Sequence, residues 1–275
     1  MIKYTSREIY LNLKKVGLKR GDTVLVCPQL YTFGELQKAE SNKNYYKIFF
    51  DTIKSIISPS GTICITAYSF QTARHGENFY LETTKCTSGE FSEYIRKLKG
   101  SLRSVHPSFS VCAIGKNKKK LCLNNSNTDY GYDSPFERMI HLKAKVLNLG
   151  MEPGYNPFQH VAEFLYGVPY RYNKLLNIKC FKKEKKIKKQ FFSFARYLDL
   201  NWSYNMQKVN KKLKKEKIYK EAKIGSGKVY CFYANDYLKT VLKLLKKNPH
   251  ILLDRVPNYK KNKIPYDGKT FFKEK

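Results

Sequence analysis

The sequence predicts a layered α/β fold with a central mixed, largely parallel sheet that is flanked by helices. Residues 23–27 and 62–68 are continuous apolar runs of strand length, typical of strands covered on both faces. A helical pattern over residues 45–57 joins them through short connections, which indicates a βαβ unit. The chain has 275 residues, of which 42% are hydrophobic, so it can bury a substantial core.

The other elements follow from local patterns along the chain. Apolar residues at helical spacing predict a first helix over residues 5–17, with a cap at Thr5 or Ser6. Further elements are expected as a helix at 91–99, a strand at 109–115, a helix at 137–143, a strand at 146–150, a helix at 160–166, a strand at 229–234 and a helix at 236–246. Residues 185–217 are predicted to be helical, basic and amphipathic. We therefore expect one domain over residues 1–247, including a basic helical insertion at 182–217, and a basic irregular tail at 248–275.

A net charge of +31 is the most unusual global property of the chain. Lysines are concentrated in two runs, at residues 182–189 and 211–217. One interpretation is a solvated surface without a specific partner. The other is a polyanionic partner, such as nucleic acid, an anionic membrane surface or a phosphate-bearing substrate or cofactor. Charge alone does not decide between them.

The cysteines and the N-terminus bound the cellular setting. The seven cysteines have no CxxC spacing, and several lie in apolar strand-like runs, so we predict reduced thiols rather than disulfides or metal ligands. The N-terminus has no signal-peptide pattern, and no apolar run approaches the roughly 20 residues that span a bilayer. A cytoplasmic protein is expected, with peripheral contact at the inner membrane face as an open alternative.

Two of the five histidines lie in settings that suit chemistry. His106 precedes a proline, which favours an extended backbone, in a polar loop with Arg103, Ser104, Ser108 and Ser110. A guanidinium fork and hydroxyl donors match phosphate oxygens. The alternative is a loop whose arginine and histidine satisfy backbone carbonyls.

The second histidine, His160, forms an i, i+3 pair with Glu163 near the start of a predicted helix. A carboxylate in this position can hold the tautomer of the imidazole and raise its basicity, as a general base near neutral pH requires. A surface pair without function is the alternative. The chain has no HExxH, Walker, GxSxG or GxGxxG motif, so zinc-protease, P-loop and dinucleotide-binding interpretations lose support.

The order of the motifs is more specific than any one of them. They are Gly-Asp-Thr-Val-Leu-Val at 21–26, Tyr-Thr-Phe-Gly at 31–34, Ser-Gly-Thr at 60–62, Ser-Gly-Glu-Phe-Ser-Glu at 88–93, Arg-Ser-Val-His-Pro at 103–107, the strand at 110–115, Gly-Tyr-Asp-Ser-Pro-Phe at 131–136, the strand at 146–150 and His-Val-Ala-Glu at 160–163. In this order they resemble the aminoglycoside 3-N-acetyltransferase family, whose fold is not the GNAT fold. The resemblance covers residues 1–172 well and the C-terminal part loosely, through Gly-Ser-Gly at 225–227.

The resemblance implies transfer of an acyl group, expected to be acetyl, from acyl-CoA to an amine of a sugar-like acceptor, without a metal. His160 would deprotonate the amine, Glu163 would orient the imidazole, and backbone N–H groups would stabilise the oxyanion. His106 is expected as a third residue of the catalytic pocket. The implied acyl-CoA site comprises Leu30, Tyr31, Thr32, Phe33, Arg103, Ser104 and Ser110. The implied acceptor site comprises Tyr68, Ser134 and Asn156.

The charge bears on the identity of the acceptor. The chain departs from the family at Cys27-Pro28-Gln29 after the first strand and at Pro157 before the histidine. Aminoglycosides are polycations, which a strongly basic protein repels at long range. We therefore expect an amino sugar that is nucleotide-linked or a surface-glycan precursor, with an anionic substrate or a membrane surface in contact with the basic helices and no nucleic-acid partner. An aminoglycoside acceptor, or a non-catalytic polyanion-binding protein, is the alternative.

Overall fold

The structure, a computed structural model, describes residues 2–260 of the chain. The strands in this part are β1 (Lys3–Tyr4), β2 (Thr23–Pro28), β3 (Glu35–Leu36), β4 (Thr62–Thr66), β5 (Phe79–Tyr80), β6 (Leu102–Arg103), β7 (Val111–Gly115), β8 (Lys145–Leu149), β9 (Arg171–Leu176), β10 (Cys180–Lys182), β11 (Lys185–Lys186), β12 (Phe191–Arg196), β13 (Lys220–Ile224) and β14 (Gly227–Tyr233). The helices are α1 (Ser6–Lys15), α2 (Asn42–Ile57), α3 (Phe70–His75), α4 (Glu90–Lys97), α5 (Lys118–Cys122), α6 (Pro135–His141), α7 (Phe158–Tyr166), α8 (Gln207–Lys215) and α9 (Ala234–Lys247), and Leu30–Phe33 forms a 3₁₀ helix.

A seven-stranded sheet with the order β13-β14-β8-β2-β4-β7-β6 forms the centre of the molecule. The predicted α/β class, the mixed sheet and the flanking helices are confirmed. Only the central pairs β2–β8 and β2–β4 are parallel, whereas the outer pairs are antiparallel. The sheet is therefore less parallel than expected, because β14 folds back on β13 through a two-residue turn and β6 and β7 are also sequential neighbours.

Both faces of the sheet are covered by apolar side chains. On β2, Val24 and Val26 pack with residues of α1, α2 and α4, whereas Leu25 and Cys27 pack with residues of α5 to α9. This alternation follows from the two-residue period of a strand. It explains why the strand reads as a continuous apolar run in the sequence.

The lysine-rich segment differs from its predicted structure. Of residues 185–217, only Gln207–Lys215 is helical, and Phe191–Arg196 is strand β12. β12 pairs antiparallel with β9 over six residues, from Phe191↔Leu176 to Arg196↔Arg171. The expectation of a helical insertion at 182–217 was wrong, because this strand depends on pairing with a distant segment rather than on local lysine content.

The chain beyond residue 247 packs on the domain. Leu252 is fully buried and Leu253 is 7% exposed. The N–H of Asn205 donates to the carbonyl of Leu252 at 2.9 Å, and the N–H of Ser203 donates to the Asp254 carboxylate at 2.8 Å. The domain therefore extends past its expected end at residue 247, and residues 261–275 of the expected tail lie outside the described part of the chain.

We expect Leu252→Ala to lower the free energy of unfolding by about 2–5 kcal/mol, because it opens a cavity at a fully buried position. Chemical denaturation measures the change. Val256→Ala is the matched control, since Val256 is 64% exposed and should change stability by less than about 0.5 kcal/mol. Equal effects of the two substitutions would show that residues 248–254 do not belong to the core.

Three further features concern the whole described region. No helix within residues 2–260 is long and apolar enough to cross a membrane. All seven cysteines are buried and free. The same residues contain no group of three or more histidine, cysteine or acidic side chains that could hold a metal ion.

Candidate active site

His160 lies at the carboxyl edge of the three parallel strands. Its helix, α7, follows β8 through a turn at residues 150–157. Ligands of open α/β sheets bind at this edge. Here His160 lines a cavity of about 290 Å³. The other lining residues are Cys27, Pro28, Thr66, Tyr68, Ser88, Met151, Tyr155, Asn156, Pro157 and Gln159.

The imidazole of His160 is bonded to a buried carboxylate. Its Nδ1 lies 2.7 Å from Oε2 of Glu163, whose side chain is fully buried. Tyr204 donates its hydroxyl to Oε1 of Glu163 at 2.8 Å, and Nε of Arg171 lies 3.2 Å from Oε2. Burial favours protonation of Glu163, but the charge of Arg171 and the hydrogen bonds outweigh it and hold the Glu163 pKa below its usual value. Glu163 is therefore ionised at neutral pH.

An ionised Glu163 determines the protonation of the imidazole. The carboxylate can only accept a hydrogen bond, so Nδ1 carries the proton and Nε2 carries the lone pair, a tautomer assigned from the bonding partner. Within residues 2–260, Nε2 has no hydrogen-bond partner. Burial and the positive charge of Arg171 lower the pKa of His160, against the opposing effect of Glu163. The imidazole is thus neutral at pH 7 and can accept a proton.

Arg171 and Tyr204 belong to this site although the sequence did not single them out. Arg171 also donates its Nη1 to the carbonyl of Phe194 at 2.7 Å, and its Nη2 donates to the Tyr204 hydroxyl. The side chain of Arg171 is 9% exposed. Strand β9 and the segment before α8 carry these residues to Glu163, so no local spacing in the sequence could reveal them.

His106 has a structural rather than a catalytic setting. Its Nδ1 accepts the N–H groups of Ser108 at 3.2 Å and Phe109 at 2.9 Å, and its Nε2 donates to the carbonyl of Phe192 at 3.0 Å. Both ring nitrogens are therefore used within the protein. The expected catalytic role of His106 is corrected: the ring connects its own loop to β12.

The burial of His106 predicts a pH-dependent contribution to stability. Burial lowers the pKa of His106 to about 4, below the unfolded value of about 6.5. The unfolded state thus binds more protons, so this contribution is present above pH 6.5 and is lost as the pH falls toward 4. We expect His106→Asn to destabilise the protein by about 2 kcal/mol more at pH 7 than at pH 5, measured by denaturation.

The difference in stability between wild type and variant has to be measured at each pH, because Asp129 also changes the stability of the wild type with pH, in the opposite direction. Burial raises the pKa of Asp129 to about 6, so its contribution opposes that of His106 in the same pH range. His141→Asn is the control, since the His141 side chain is 71% exposed. A His106→Asn effect that does not change between pH 7 and pH 5 would contradict the assignment.

Arg103, Ser104 and Ser110 also differ from their expected role. Arg103 donates to Ser110 Oγ at 2.7 Å and to the carbonyls of Thr84 at 2.6 Å and Ala67 at 2.8 Å. Ser104 Oγ accepts the N–H of Val111, and Ser110 Oγ donates to Ala67. These side chains are buried and satisfied internally, so the placement in an acyl-CoA channel is corrected: they brace the loop between β6 and β7.

The expected acceptor residues divide into two groups. Tyr68 and Asn156 line the cavity of His160. Asn156 also fixes the turn before α7, since its Nδ2 donates to the carbonyl of Pro153 and its Oδ1 accepts the N–H of Phe158, both at 3.0 Å. Ser134 is instead the buried cap of α6, where its Oγ accepts the N–H of Glu137. Its placement in the acceptor site is corrected, because the hydroxyl is used by the helix.

A second cavity of about 650 Å³ adjoins the first, and the two share Pro28 and Ser88 in their walls. Leu30 and Tyr31, two of the residues predicted for an acyl-CoA site, line this cavity, and Tyr31 is 78% exposed. Thr32 and Phe33 do not line it. Phe33 is buried and stacks on Phe49 with 5.8 Å between ring centroids, and the Thr32 hydroxyl donates to the carbonyl of Gln29. Thr32 and Phe33 therefore stabilise the 3₁₀ helix through contacts within the protein and do not face the cavity.

Known proteins resemble this chain in sequence. The family model described as aminoglycoside 3-N-acetyltransferase matches residues 33–246. An SPbeta prophage-derived aminoglycoside N(3')-acetyltransferase-like protein of Bacillus subtilis (strain 168) is 27% identical over 63% of this chain and 68% of its own length. Aminoglycoside N(3)-acetyltransferase VII of Streptomyces paromomycinus is 25% identical over 60% of this chain and 62% of its own length, which is less than two thirds.

Solved structures resemble the fold. The YokD protein of Bacillus subtilis has a TM-score of 0.76 at 21% identity and covers 93% of this chain and 97% of its own. Aminoglycoside acetyltransferase AAC(3)-IVa has a TM-score of 0.72 at 20% identity, with 91% of each chain covered. AAC-IIIb, in a binary structure with CoASH, has a TM-score of 0.75 at 17% identity and covers 89% of this chain and 97% of its own. These structures show the same fold, and the family model over residues 33–246 shows that the chain belongs to the aminoglycoside 3-N-acetyltransferase family, whose members are CoA-dependent N-acyltransferases.

Proposed function

We propose that the protein transfers an acetyl group from acetyl-CoA to an amine of an amino sugar, with His160 as the general base. One observation carries this proposal: the unpaired Nε2 of a neutral histidine lies at a cavity of about 290 Å³ that adjoins a larger cavity of about 650 Å³. An acceptor beside His160 in the smaller cavity and an acyl donor in the larger one can therefore meet where the two cavities share Pro28 and Ser88. Binding two reactants in a fixed geometry is itself a large part of catalysis.

The larger cavity fits the acyl donor. Its wall combines apolar and aromatic side chains, including Leu30, Tyr31 and Phe91, with the polar Ser88 at the junction with the cavity of His160. Three glutamates also line it, namely Glu35, Glu40 and Glu90. A long flexible thioester arm suits a mostly apolar cleft of this size. When bound, acetyl-CoA supplies an activated thioester carbonyl and a thiol leaving group.

The residues of the chain then manage one proton. As the acceptor nitrogen attacks the carbonyl carbon, Nε2 of His160 takes the proton that this nitrogen loses. The C–S bond of the thioester then breaks, and the imidazolium returns the proton to the departing sulfur, which leaves as the CoA thiol. Glu163 remains ionised and stabilises the imidazolium through its contact with Nδ1, which lies 2.7 Å from Oε2. Arg171 and Tyr204 hold the carboxylate in place. Glu163 therefore keeps its charge and its partners while His160 gains and loses the proton.

The relatives favour an aminoglycoside as the acceptor. Both matched sequences carry aminoglycoside acetyltransferase in their names, one of them as a likeness. Structures with the same fold hold a gentamicin, in a variant of AAC(3)-IVa, and sisomicin, in AAC-VIa. We therefore propose an aminoglycoside-type amine as the first acceptor to test, ahead of a nucleotide-linked or surface-glycan amino sugar.

One feature of the site favours the second class of acceptor. None of the residues that line the catalytic cavity is aspartate or glutamate. Two nearby glutamates already have partners within the protein. Glu163 is paired with Arg171 and accepts a hydrogen bond from Tyr204, and Glu152 accepts a hydrogen bond from Asn210. A polycation would find no carboxylate in this wall, on a protein of net charge +31, although Glu35, Glu40 and Glu90 line the adjoining larger cavity. An amino sugar with a single amine and an attached phosphate avoids this repulsion.

An acceptor screen tests the proposal. The purified protein is incubated with acetyl-CoA and with aminoglycosides, amino-sugar nucleotides or no acceptor, and the release of free CoA thiol is measured. Thiol release that requires an amine acceptor supports acyl transfer, and the acceptor with the highest kcat/KM identifies the class. Release without an acceptor would indicate hydrolysis instead. No release with any amine, together with salt-dependent binding of nucleic acid, would support the polyanion-binding alternative.

A further inference from the structure

A third cavity lies at the edge of the sheet opposite to His160. It has a volume of about 460 Å³ and is lined by residues at the end of α1, before β2, at the start of β8, before and within β13 and at the end of β14. It shares no residue with the two cavities near His160. The parallel strands β2 and β8 run from this edge toward the catalytic edge.

Lysines dominate the wall of this cavity. Lys14, Lys19, Lys217 and Lys220 are exposed residues that line it. In the described part of the chain, none of these four ammonium groups has a carboxylate within 4.0 Å. The Nζ of Lys220 comes within 3.9 Å of the position that a Cβ on Gly17 would take, so it reaches across the cavity wall.

The floor of the cavity contains an ion pair that is already satisfied. Lys145 has a side chain that is 7% exposed, and its Nζ donates to Asp22 Oδ2 at 2.8 Å and to the carbonyl of Gly17 at 2.7 Å. Asp22 Oδ2 also accepts the N–H of Lys19 at 2.8 Å. No lining residue is acidic, so nothing in the wall offsets the four lysines.

This arrangement suits an anion that carries several charges close together. Four like charges around one cavity repel one another, and a ligand with adjacent negative groups removes that repulsion. Lysine is a compact point charge that binds phosphate oxygens from several directions. Tyr233 adds an aromatic surface, since it lines the cavity and is 43% exposed.

We propose that this cavity binds an oligophosphate, a small molecule with at least two adjacent phosphate groups. Two sources share this chemistry: an inorganic polyphosphate and a nucleoside polyphosphate, whose base would stack on Tyr233. The site is independent of acetyl transfer, because its residues lie at the other edge of the sheet. It accounts for part of the basic segment 211–217 through Lys217.

Calorimetric titration with inorganic tripolyphosphate tests the site. We compare the wild type with the triple variant Lys14→Gln, Lys19→Gln and Lys220→Gln, and with a control triple variant Lys182→Gln, Lys185→Gln and Lys186→Gln. The control removes the same charge from exposed lysines of β10 and β11. We expect one site per chain, weakened about tenfold or more by the cavity variant and less than about twofold by the control.

Two results would overturn the proposal. Equal weakening by both variants would show diffuse attraction to a basic protein. Displacement of tripolyphosphate by CoA, with unchanged binding in the cavity variant, would place the anion at the other edge of the sheet. Thermal denaturation of both variants verifies folding, and acetyl transfer by the cavity variant should equal that of the wild type. Neither result depends on the identity of the acceptor.

A second arm identifies the source of the phosphates. ATP and tripolyphosphate are titrated into the wild type and into Tyr233→Leu. Tighter binding of ATP that is lost in Tyr233→Leu, with unchanged tripolyphosphate affinity, supports a nucleotide. Equal affinities for both ligands in both proteins support an inorganic oligophosphate. Absence of binding by both ligands to the wild type would exclude the site.

Discussion

His160→Ala is expected to lower kcat for acetyl transfer by about 10²–10⁴-fold, the usual contribution of a positioned general base. Of the pair His160 and Glu163, the variant loses the member that takes the proton, since Arg171 keeps Glu163 ionised. Affinity for CoA should change little, because His160 does not line the larger cavity. Steady-state kinetics with the preferred acceptor and calorimetry with CoA measure the two quantities separately.

His141→Ala provides the matched control, since His141 lies on α6 with an exposed side chain. The pH profile gives a further test. Because burial lowers the pKa of His160 below 6.5, kcat/KM should fall only as the pH drops through that lower value. The acid limb should disappear in His160→Ala. A variant with wild-type kcat would exclude His160 as the base.

Arg171→Met is expected to lower the free energy of unfolding by about 3–5 kcal/mol, the usual effect of removing one partner of a buried ion pair. The Arg171 side chain is 9% exposed and the Glu163 side chain is fully buried, so the carboxylate would be left with an uncompensated charge. Denaturation by urea measures the change. Activity should fall as well, since Glu163 would then tend to be protonated and could no longer stabilise an imidazolium.

Arg196→Met is the control for this substitution. Arg196 lies directly opposite Arg171 in the strand pair, is exposed, and lies over the ring of Trp202 at 4.6 Å. Its loss should cost about 1 kcal/mol or less. Adding Glu163→Gln to Arg171→Met should restore part of the lost stability, because the buried charge is then removed. A change below about 1 kcal/mol in Arg171→Met would show that the pair is more hydrated than its burial indicates.

The contrast between His160 and His106 shows how much of the site the sequence could predict. His160 and Glu163 are three residues apart on one helix, so their contact follows from local geometry. Arg171 and Tyr204 reach Glu163 through the fold, and no spacing indicates them. The sequence correctly predicts a polar loop around His106. Once buried, however, the polar groups of this loop form hydrogen bonds with nearby backbone, so they are not available to bind or react with a substrate.

The fold shows the same division. The central strands β2, β4 and β8 were predictable, because a strand covered on both faces is apolar throughout. Strand β12 was not predictable. The lysine-rich residues 185–189 that precede it suggest a helix, whereas the strand forms by pairing with residues 171–176 of β9. Long-range pairing decided the structure there over local composition.

The attachment of β12 has a practical consequence for protein engineering. His106 is hydrogen-bonded to Phe192, and Asp129 accepts hydrogen bonds from Ser193 and Phe194. These bonds fix the first half of β12, and the carbonyl of Phe194 accepts a hydrogen bond from Arg171. The turn at Lys183 and Glu184 between β10 and β11 lies ahead of these anchors and is exposed. Exposed turns of this kind accept added sequence with little cost. A peptide label inserted there should report on the enzyme while leaving turnover intact.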